Sequence, residues 1–314
     1  MNVRSVIPRD AIPSIDAPTF GETHAGEPDD EVIVLEADPP RAYPLRILHY
    51  HEIVNDVVDG EPLAITWCPL CASAVVYERT LDGSTLTFGV SGKLADDDLV
   101  MYDRETESEW KQSLGTCIAG VLAGRALDAR PCAITTWTRF RATHPEGIVL
   151  QPTEAESEVA SDDDEPAPVD YDVEPYRAYF EADGFGLATH RDTGEGRSWP
   201  RDDLDPKAVV LGIERDGEAV GYPLPRVRAA GGVVTDTVGG EAIVVAATDD
   251  GIHAFAHPGW SFDLDDGALV ADGTRWDAVT GASQDGRQLE RLPAKRLFAF
   301  AWRDDHGDEA FFEG

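Results

Sequence analysis

The sequence is short of positive charge, of cysteine and of long apolar runs. Only four of the 26 basic residues are lysines, and 60 acidic residues bring the net charge to −34. This charge disfavours binding to a nucleic-acid backbone, which attracts the opposite sign. Four cysteines are too few for a disulfide scaffold, and no apolar run is long enough to span a membrane. Because the first residues also lack the apolar core of a signal peptide, we expect a cytoplasmic protein with reduced thiols.

What the chain has in excess is acid, spread over its whole length together with much alanine, glycine and valine. Charges of one sign repel each other in dilute buffer, and salt screens that repulsion. The composition is therefore typical of proteins adapted to very high salt. An acidic surface for one partner is the alternative, but the even spread of the charge favours adaptation to the solvent.

Strand-like runs separated by turn signals fill most of the chain. We divide it into an extended lead-in (1–30), a first β unit (31–150), an acidic linker with an aromatic segment (151–207) and a second β unit (208–314). The predicted fold is mainly β with a few short helices, of which the best candidate covers residues 43–56.

The two β units resemble each other. Residues 41–66 align with residues 219–246 through a shared Tyr-Pro-Leu and a shared aspartate ahead of a glycine turn, and 99–131 align with 269–293. We therefore predict two tandem pseudo-repeated all-β units, each barrel-like or sandwich-like. A feature present in both copies is expected to be structural, and function is expected where the copies differ.

The largest difference between the copies is a pair of cysteines. The first copy has Cys68 and Cys71 in "TWCPLCAS", where the second copy has "ATDDGIHA". A C-x-x-C at the end of a strand supplies two thiolates on one side of a turn, which is half of a tetrahedral zinc site. Cys117 and Cys132 lie among apolar residues and are predicted to be buried.

His51 and Met101 also have no counterpart in the second copy, and they are the other predicted metal ligands. Two thiolates, an imidazole and a thioether form a soft ligand set that suits copper or zinc. The alternative is a thiol pair that cycles between dithiol and disulfide. A strand, rather than a helix, is predicted after Cys71, so no helix N-terminus would lower a thiol pKa.

Other polar residues of the first copy give further alternatives. The turn around Lys93 can hold an anion, but it lacks the spacing of a phosphate loop, and the chain has no nucleotide-cofactor motif. A non-catalytic module that binds a small ligand or a protein through "SGKL" and "DRETES" is one alternative. A hydrolase or transferase is another, and it requires a pocket that joins Glu52, Asp56, Asp103 and Ser108. The additional candidate residues are Glu52, Asp56, Ser73, Lys93, Asp103, Thr106 and Ser108.

Several long motifs are similar to those of DUF3179, a family named as a domain of unknown function, and the composition identifies the chain as a haloarchaeal member. The motifs include "AYPLRILHYHEIVND", "ITWCPLCASAVVYER" and "FGVSGKLADDDLVMYDRETESEW", and the resemblance runs from about Pro13 to past Ala301. The resemblance brings no activity with it. It implies that the positions defining the family are His51, Glu52, Asn55, Asp56, Cys68, Cys71, Ser73, Ser91, Gly92, Met101, Asp103, Thr106, Ser108 and Trp110.

Overall fold

A computed structural model describes residues 1–161, 165–194 and 196–314 of the chain. The strands are β1 (Val3–Ser5), β2 (Phe20–Gly21), β3 (Glu31–Leu35), β4 (Arg41–Pro44), β5 (Ile53–Val58), β6 (Glu61–Cys68), β7 (Ser73–Glu78), β8 (Thr80–Leu81), β9 (Ser84–Thr85), β10 (Phe88–Ala95), β11 (Asp98–Asp103), β12 (Glu109–Lys111), β13 (Thr116–Ala119), β14 (Ala129–Arg130), β15 (Ala133–Thr136), β16 (Ile148–Leu150), β17 (Glu156–Ser157), β18 (Ala167–Pro168), β19 (Val209–Arg215), β20 (Glu218–Pro223), β21 (Val233–Val238), β22 (Glu241–Thr248), β23 (Gly251–Ala256), β24 (Asp263–Asp265), β25 (Ala268–Ala271), β26 (Thr274–Asp277) and β27 (Lys295–Phe298). The helices are α1 (Leu45–His51), α2 (Trp137–Thr143), α3 (Arg177–Glu181), α4 (Gly186–His190), α5 (Leu224–Ala229) and α6 (Ala299–His306). The prediction of a mainly β protein with a few short helices is confirmed.

The predicted helix over 43–56 is shorter than expected. Helix α1 ends at His51, because Glu52 adopts a left-handed backbone conformation with φ of 56° and turns the chain. The run that follows is β5, which pairs with β6 across a tight turn at Asp59 and Gly60. Both turn residues have positive φ, as the Asp-Gly sequence predicts for a two-residue hairpin.

The central sheet contains strands from both halves of the chain. Its order is β20-β19-β27-β7-β6-β5, so β27 of the second half lies directly beside β7 of the first half. At this junction Arg296 pairs with Ala74, and the Phe298 N–H donates to the Cys71 carbonyl at 2.7 Å. The two halves therefore share one hydrogen-bonded surface, while the predicted division at residue 208 stays a prediction.

The two halves repeat the same order of elements. The series β3-β4-α1-β5-β6-β7 in the first half has the same sequence of strands and helix as β19-β20-α5-β21-β22-β23 in the second. In the first series the Tyr43 hydroxyl donates to Asp56 at 2.6 Å, and in the second the Tyr222 hydroxyl donates to Asp236 at 2.8 Å. The aligned residues thus make the same contact at the same place in each series.

Each half also contributes a helix to the other. Asp305 on α6, in the second half, forms an ion pair with Lys111 and accepts a hydrogen bond from Ser113 at 2.6 Å. Arg139 on α2, in the first half, forms ion pairs with Asp250 at 3.4 Å and with Asp277. The exchange couples the folding of both halves.

The main hydrophobic core lies under the central sheet and includes large side chains from both halves. Trp67, Trp110 and Tyr77 come from the first half, and Phe300 and Trp302 come from α6. Burial of each such side chain stabilises the fold by about 2–3 kcal/mol. None of the described helices has the length and hydropathy needed to cross a membrane.

Candidate functional site

The two cysteines of the C-x-x-C sequence lie on the connection between β6 and β7. Cys68 is the last residue of β6 and pairs with Ser73, the first residue of β7. Ala72 adopts a positive φ of 44°, which closes the connection within four residues. Both thiols are buried, and the Cys71 thiol donates to the Asp97 carbonyl at 3.4 Å. The connection therefore holds two thiols together beneath the surface.

A carboxylate completes a cluster with these thiols. The sulfur atoms of Cys68 and Cys71 and one carboxylate oxygen of Asp98 all lie within 4.8 Å of one another. Asp98 begins β11 and is fully buried, and its Oδ2 accepts a hydrogen bond from the Ser113 N–H at 2.9 Å. Its Oδ1 has no hydrogen-bond partner among the described residues. Three ligand atoms of metal-binding type thus converge, and one has a free coordinating electron pair.

The negative charge of Asp98 in this cluster is offset by the nearby ammonium group of Lys111. Burial raises the pKa of Cys68, of Cys71 and of Asp98, because each charged form loses its hydration. Burial alone would lower the pKa of Lys111, but the charges of Asp98 and Asp305 outweigh it and raise that pKa. In the metal-free state the thiols are therefore protonated at neutral pH, which makes them weak nucleophiles.

Several buried oxygen atoms around the cluster have no hydrogen-bond donor among the described residues. They are Glu52 Oε2, Ser73 Oγ, Asp98 Oδ1 and Gln112 Oε1. Ser73 pairs with Cys68 in the sheet, and the Gln112 amide donates to the Ser73 carbonyl at 3.3 Å. Each of the four atoms can accept a hydrogen bond, and the Ser73 hydroxyl and a protonated Glu52 can also donate one. Such atoms are rare in a folded protein, so their grouping makes the surroundings of the cluster a candidate site for a polar ligand.

A cavity of about 540 Å³ opens onto the cluster from the surface. Cys68 and Glu52 lie in its wall together with Lys93, Leu99 and His190. Cys71 and Asp98 are not part of this wall, so Cys68 is the ligand atom nearest to an entering molecule. The cavity gives the buried cluster a route to solvent.

Glu52 has the most perturbed carboxyl group of the cavity. Burial, followed by the charges of Glu158 and Asp98, raises the pKa of Glu52 to about 8. Its side chain is 7% exposed and its backbone is held in the left-handed region. A carboxyl group with these properties holds a proton at neutral pH and can release it to a base nearby.

The structure separates the other predicted ligands, His51 and Met101, from the cysteines. Both ring nitrogens of His51 are engaged, Nδ1 with the Pro13 carbonyl at 2.8 Å and Nε2 with the Tyr171 hydroxyl at 2.6 Å. Met101 lies three residues after Asp98 in β11, so the two side chains point to opposite faces of the sheet. Among the described residues, the ligand-type atoms that converge with the two thiols include a carboxyl oxygen of Asp98 and no atom of His51.

Asp103, Thr106 and Ser108 form a turn on that opposite face. The Asp103 carboxylate accepts hydrogen bonds from the Thr106 N–H at 2.6 Å and from the Trp110 indole at 2.9 Å. The Thr106 and Ser108 hydroxyls lie 2.7 Å apart. These contacts fix the turn between β11 and β12 and account for all three polar side chains.

Asp56 and Lys93 also have partners. Asp56 accepts hydrogen bonds from Arg41 at 2.7 Å and from Tyr43, which makes it part of the contact shared by both halves. Lys93 forms an ion pair with Glu109 at the edge of the cavity. The cavity wall contains Glu52 but none of Asp56, Asp103 and Ser108, so the pocket required for a hydrolase built on these four residues is not formed there.

The sequence did not point to Asp98 or Lys111. Asp98 is one of three consecutive aspartates, and nothing in the sequence pattern distinguishes it from Asp96 and Asp97. For Lys111 a signal existed, because a chain with only four lysines retains each for a reason. All four have a partner in the structure: Lys93 with Glu109, Lys111 with Asp305, Lys207 with the Tyr179 carbonyl and Lys295 with Glu214.

The chain was compared with known families, curated proteins and solved structures. A family model described as a protein of unknown function (DUF3179) matches residues 9–309. No curated protein and no solved structure matches the chain. The match covers nearly the whole length and includes the cysteine connection, α1 and the strands of both halves, so the chain belongs to the DUF3179 family.

Proposed function

We propose that Cys68, Cys71 and Asp98 bind one soft metal ion. The observation that carries the proposal is the convergence of their three ligand atoms within 4.8 Å of one another. In addition, Asp98 Oδ1 has no hydrogen-bond partner in the part of the chain that the structure describes. A metal held at bonds of about 2.0–2.3 Å brings its ligand atoms to roughly 4 Å or less from one another. Small side-chain rotations are sufficient to close the site around an ion.

Zinc fits this ligand set better than copper. Zinc accepts cysteine sulfur together with carboxylate oxygen, whereas a copper site of the predicted kind depends on imidazole and thioether. His51 is engaged elsewhere, and Met101 lies on the other face of β11. Binding releases the two thiol protons, and the positive ion offsets the charge of the three anionic ligands.

A metal ion held by these three residues would have one position left for a further ligand, and the cavity beside Cys68 would supply it. Three protein ligands and one open position are the arrangement of zinc sites that activate water or a substrate. Glu52 shares the cavity wall with Cys68 and carries a proton at neutral pH. It is suited to exchange that proton with a ligand held in the open position.

The test is the metal content of the intact protein, purified in high salt under reducing conditions without chelators. We expect about one zinc per chain in the wild type and none in a Cys68→Ser/Cys71→Ser variant. Cys117→Ser is the matched control, since Cys117 is a buried free cysteine outside the cluster. Full metal occupancy in the double variant, or none in the wild type, contradicts the proposal.

A thiol redox function is the second candidate. It is favoured by the proximity of the two thiols, whose sulfur atoms lie within 4.8 Å of each other. Reduction of a disulfide substrate would convert the pair to an intramolecular disulfide, with two electrons and two protons passing to the substrate. Metal-free wild type that forms a Cys68–Cys71 disulfide reversibly, and rapidly with a small disulfide, supports this alternative. A non-catalytic binding module at the same cavity is the outcome if neither chemistry is found.

We also propose that the two series of elements are pseudo-repeats, of which only the first acquired this site. The shared order of elements and the paired contacts of Tyr43 and Tyr222 support it. The cysteine connection of the first series corresponds to residues 248–251 of the second, which contain no sulfur.

A further inference from the structure

The second half has its own cavity at the place that corresponds to the cysteine connection. Its volume is about 160 Å³, and it lies between β15 of the first half and the turn that joins β22 to β23. The wall includes Thr135 from β15 and Gly251 and His253 from the turn and β23. The cavity is separate from the thiol cluster and its chemistry does not involve the cysteines of that cluster.

The cavity occupies a junction that is closed elsewhere in the molecule. Strand β27 meets β7 through hydrogen bonds, including the one from Phe298 to Cys71. In the order of elements, β15 and β23 correspond to β27 and β7, and they lie near each other. Within the described residues, however, β15 and β23 are not paired in a sheet. The two halves approach closely beside the cavity, since a Cβ atom on Gly251 would lie 2.9 Å from the Ile134 carbonyl oxygen. The second junction thus leaves room for a ligand where the first is filled by backbone contacts.

Two buried side chains in the wall of this cavity carry polar atoms that make no hydrogen bond of standard geometry with the described residues. They are the Thr135 hydroxyl and Nε2 of His253, on side chains that are 4% and 2% exposed. Nδ1 of His253 lies 3.4 Å from a guanidinium nitrogen of Arg291, which can only donate. Burial lowers the pKa of His253, so the ring is neutral, and the Asp250 carbonyl lies beside the ring as a backbone acceptor. The Thr135 hydroxyl can therefore donate to a ligand in the cavity, and the imidazole N–H can do so by exchanging its contact with Asp250.

The charges of the wall leave one cation without an acidic partner. Each carboxylate of the wall has a basic partner: Glu31 with Arg296 at 2.8 Å, Asp249 with Arg228 at 3.5 Å and Asp250 with Arg139 at 3.4 Å. Arg291 has none within 4.0 Å among the described residues. Its guanidinium donates to the Val279 carbonyl and lies over the Phe255 ring at 5.0 Å.

A guanidinium that has no acidic partner and lies in the wall of a cavity is costly unless an anion is present. A carboxylate of the protein would be the simplest partner for Arg291. The carboxylates of the wall, however, are paired with other arginines. The volume corresponds to about five water molecules at roughly 30 Å³ each, which excludes nucleotides and other large ligands.

We propose that this cavity binds a small oxyanion, of the size of phosphate or sulfate, through Arg291, His253 and Thr135. The guanidinium supplies the charge, while the imidazole N–H and the hydroxyl each donate one hydrogen bond to an oxygen of the anion. The bound anion joins the first half to the second, since Thr135 lies on β15 and the other two residues lie in the second half.

The proposal is tested by calorimetric titration of the full-length protein with inorganic phosphate and, separately, with sulfate, in potassium chloride of constant concentration. We expect one saturable site in the wild type. Thr135→Val keeps the shape of the side chain and removes one donor, so the affinity should fall about tenfold. Arg291→Met removes the charge, and its affinity should fall at least a hundredfold. Thr85→Val, which changes an exposed threonine on β9, is the matched control and should bind as the wild type does.

Absence of saturable binding of both anions to the wild type overturns the proposal, as does wild-type affinity in Thr135→Val. If Arg291→Met does not fold, Thr135→Val alone decides. A crystal grown with bromide gives a second readout, because the anomalous signal of the ion should lie in contact with Arg291 and His253. A bromide signal at other places only also overturns the proposal.

Discussion

The connection after β6 and the connection after β22 occupy the same place in two similar series of elements, and they make opposite demands on a ligand. Around the first, the unsatisfied buried atoms include Asp98 Oδ1, a carboxyl oxygen that accepts. Around the second, they include Nε2 of His253, on a ring that lies beside the Arg291 guanidinium. Unsatisfied acceptors call for a cation and unsatisfied donors for an anion. Similar backbones can therefore carry sites of opposite charge when only the side chains at one turn differ.

The bend after the helix of each series shows the same divergence. In the second half it is made by Gly231 and Gly232, with φ of 100° and 83°, which glycine adopts at little cost. In the first half Glu52 makes the bend at φ of 56°, a conformation that costs a non-glycine residue of order 1 kcal/mol. The first half tolerates this strain and obtains a buried carboxyl group at the cavity wall.

The largest expected effect is on stability, and it comes from a comparison of two ion pairs. Each of them joins a helix of one half to a residue of the other half. Lys111 and Asp305 are both 2% exposed, whereas Arg139 and Asp277 are 30% and 23% exposed. Lys111→Met leaves Asp305 and Asp98 buried without a cation, so the free energy of unfolding should fall by about 3–5 kcal/mol. Arg139→Met should cost no more than about 1 kcal/mol. Denaturant unfolding at constant high salt measures both.

The double variant Lys111→Met/Asp305→Asn is the control, because it also removes the charge of the Asp305 carboxylate that Lys111→Met leaves unpaired. The double variant should recover part of the free energy of unfolding that Lys111→Met loses. Equal costs for Lys111→Met and Arg139→Met would mean that the two contacts are equivalent, and that burial of the first pair has no energetic consequence.

The second prediction concerns pH and the bend of the first half. In the folded metal-free protein the pKa of Glu52 is about 8, above its ordinary value of 4.5, so between these values the folded state binds more protons than the unfolded state. Stability from this group is present below pH 4.5 and is lost as the pH rises to about 8, by up to about 1.4 kcal/mol per pH unit. Glu52→Gln should remove this slope.

The measurement is the free energy of unfolding by denaturant of chelator-treated wild type and of Glu52→Gln between pH 5 and pH 8, taken at about every half pH unit. The variant should gain on the wild type steadily as the pH rises. Parallel curves would show that Glu52 ionises at an ordinary pH and is not the proton-carrying group of the cavity.

The smallest expected effect tests the contact that the two series share. Tyr43→Phe removes a hydrogen bond to Asp56, which is buried, and should cost about 1.5–2 kcal/mol. Tyr222→Phe removes the matching bond to Asp236, which is less buried, and should cost about 0.5–1 kcal/mol. Thermal unfolding in high salt compares them. A cost in one half only would indicate that the second contact is a chance similarity.

The sequence predicted what depends on local pattern. Strand runs, the Asp-Gly hairpin turn at Asp59 and Gly60 and the convergence of Cys68 with Cys71 all follow from short-range spacing. It did not predict partners brought together by the fold, and Asp98 reaches the cysteines only because β11 crosses their connection. The spacing of His51 is equally local, but helix phase turned its ring toward Tyr171.

The exchange of helices sets an order of events during synthesis. Lys111 is made 194 residues before its partner Asp305. At roughly 5–20 residues per second, a ribosome needs roughly 10–40 s to cover that distance. Throughout this interval the nascent first half holds an ammonium group that cannot be buried with its partner. The ion pair between Lys111 and Asp305 can therefore form only after α6 has left the ribosome.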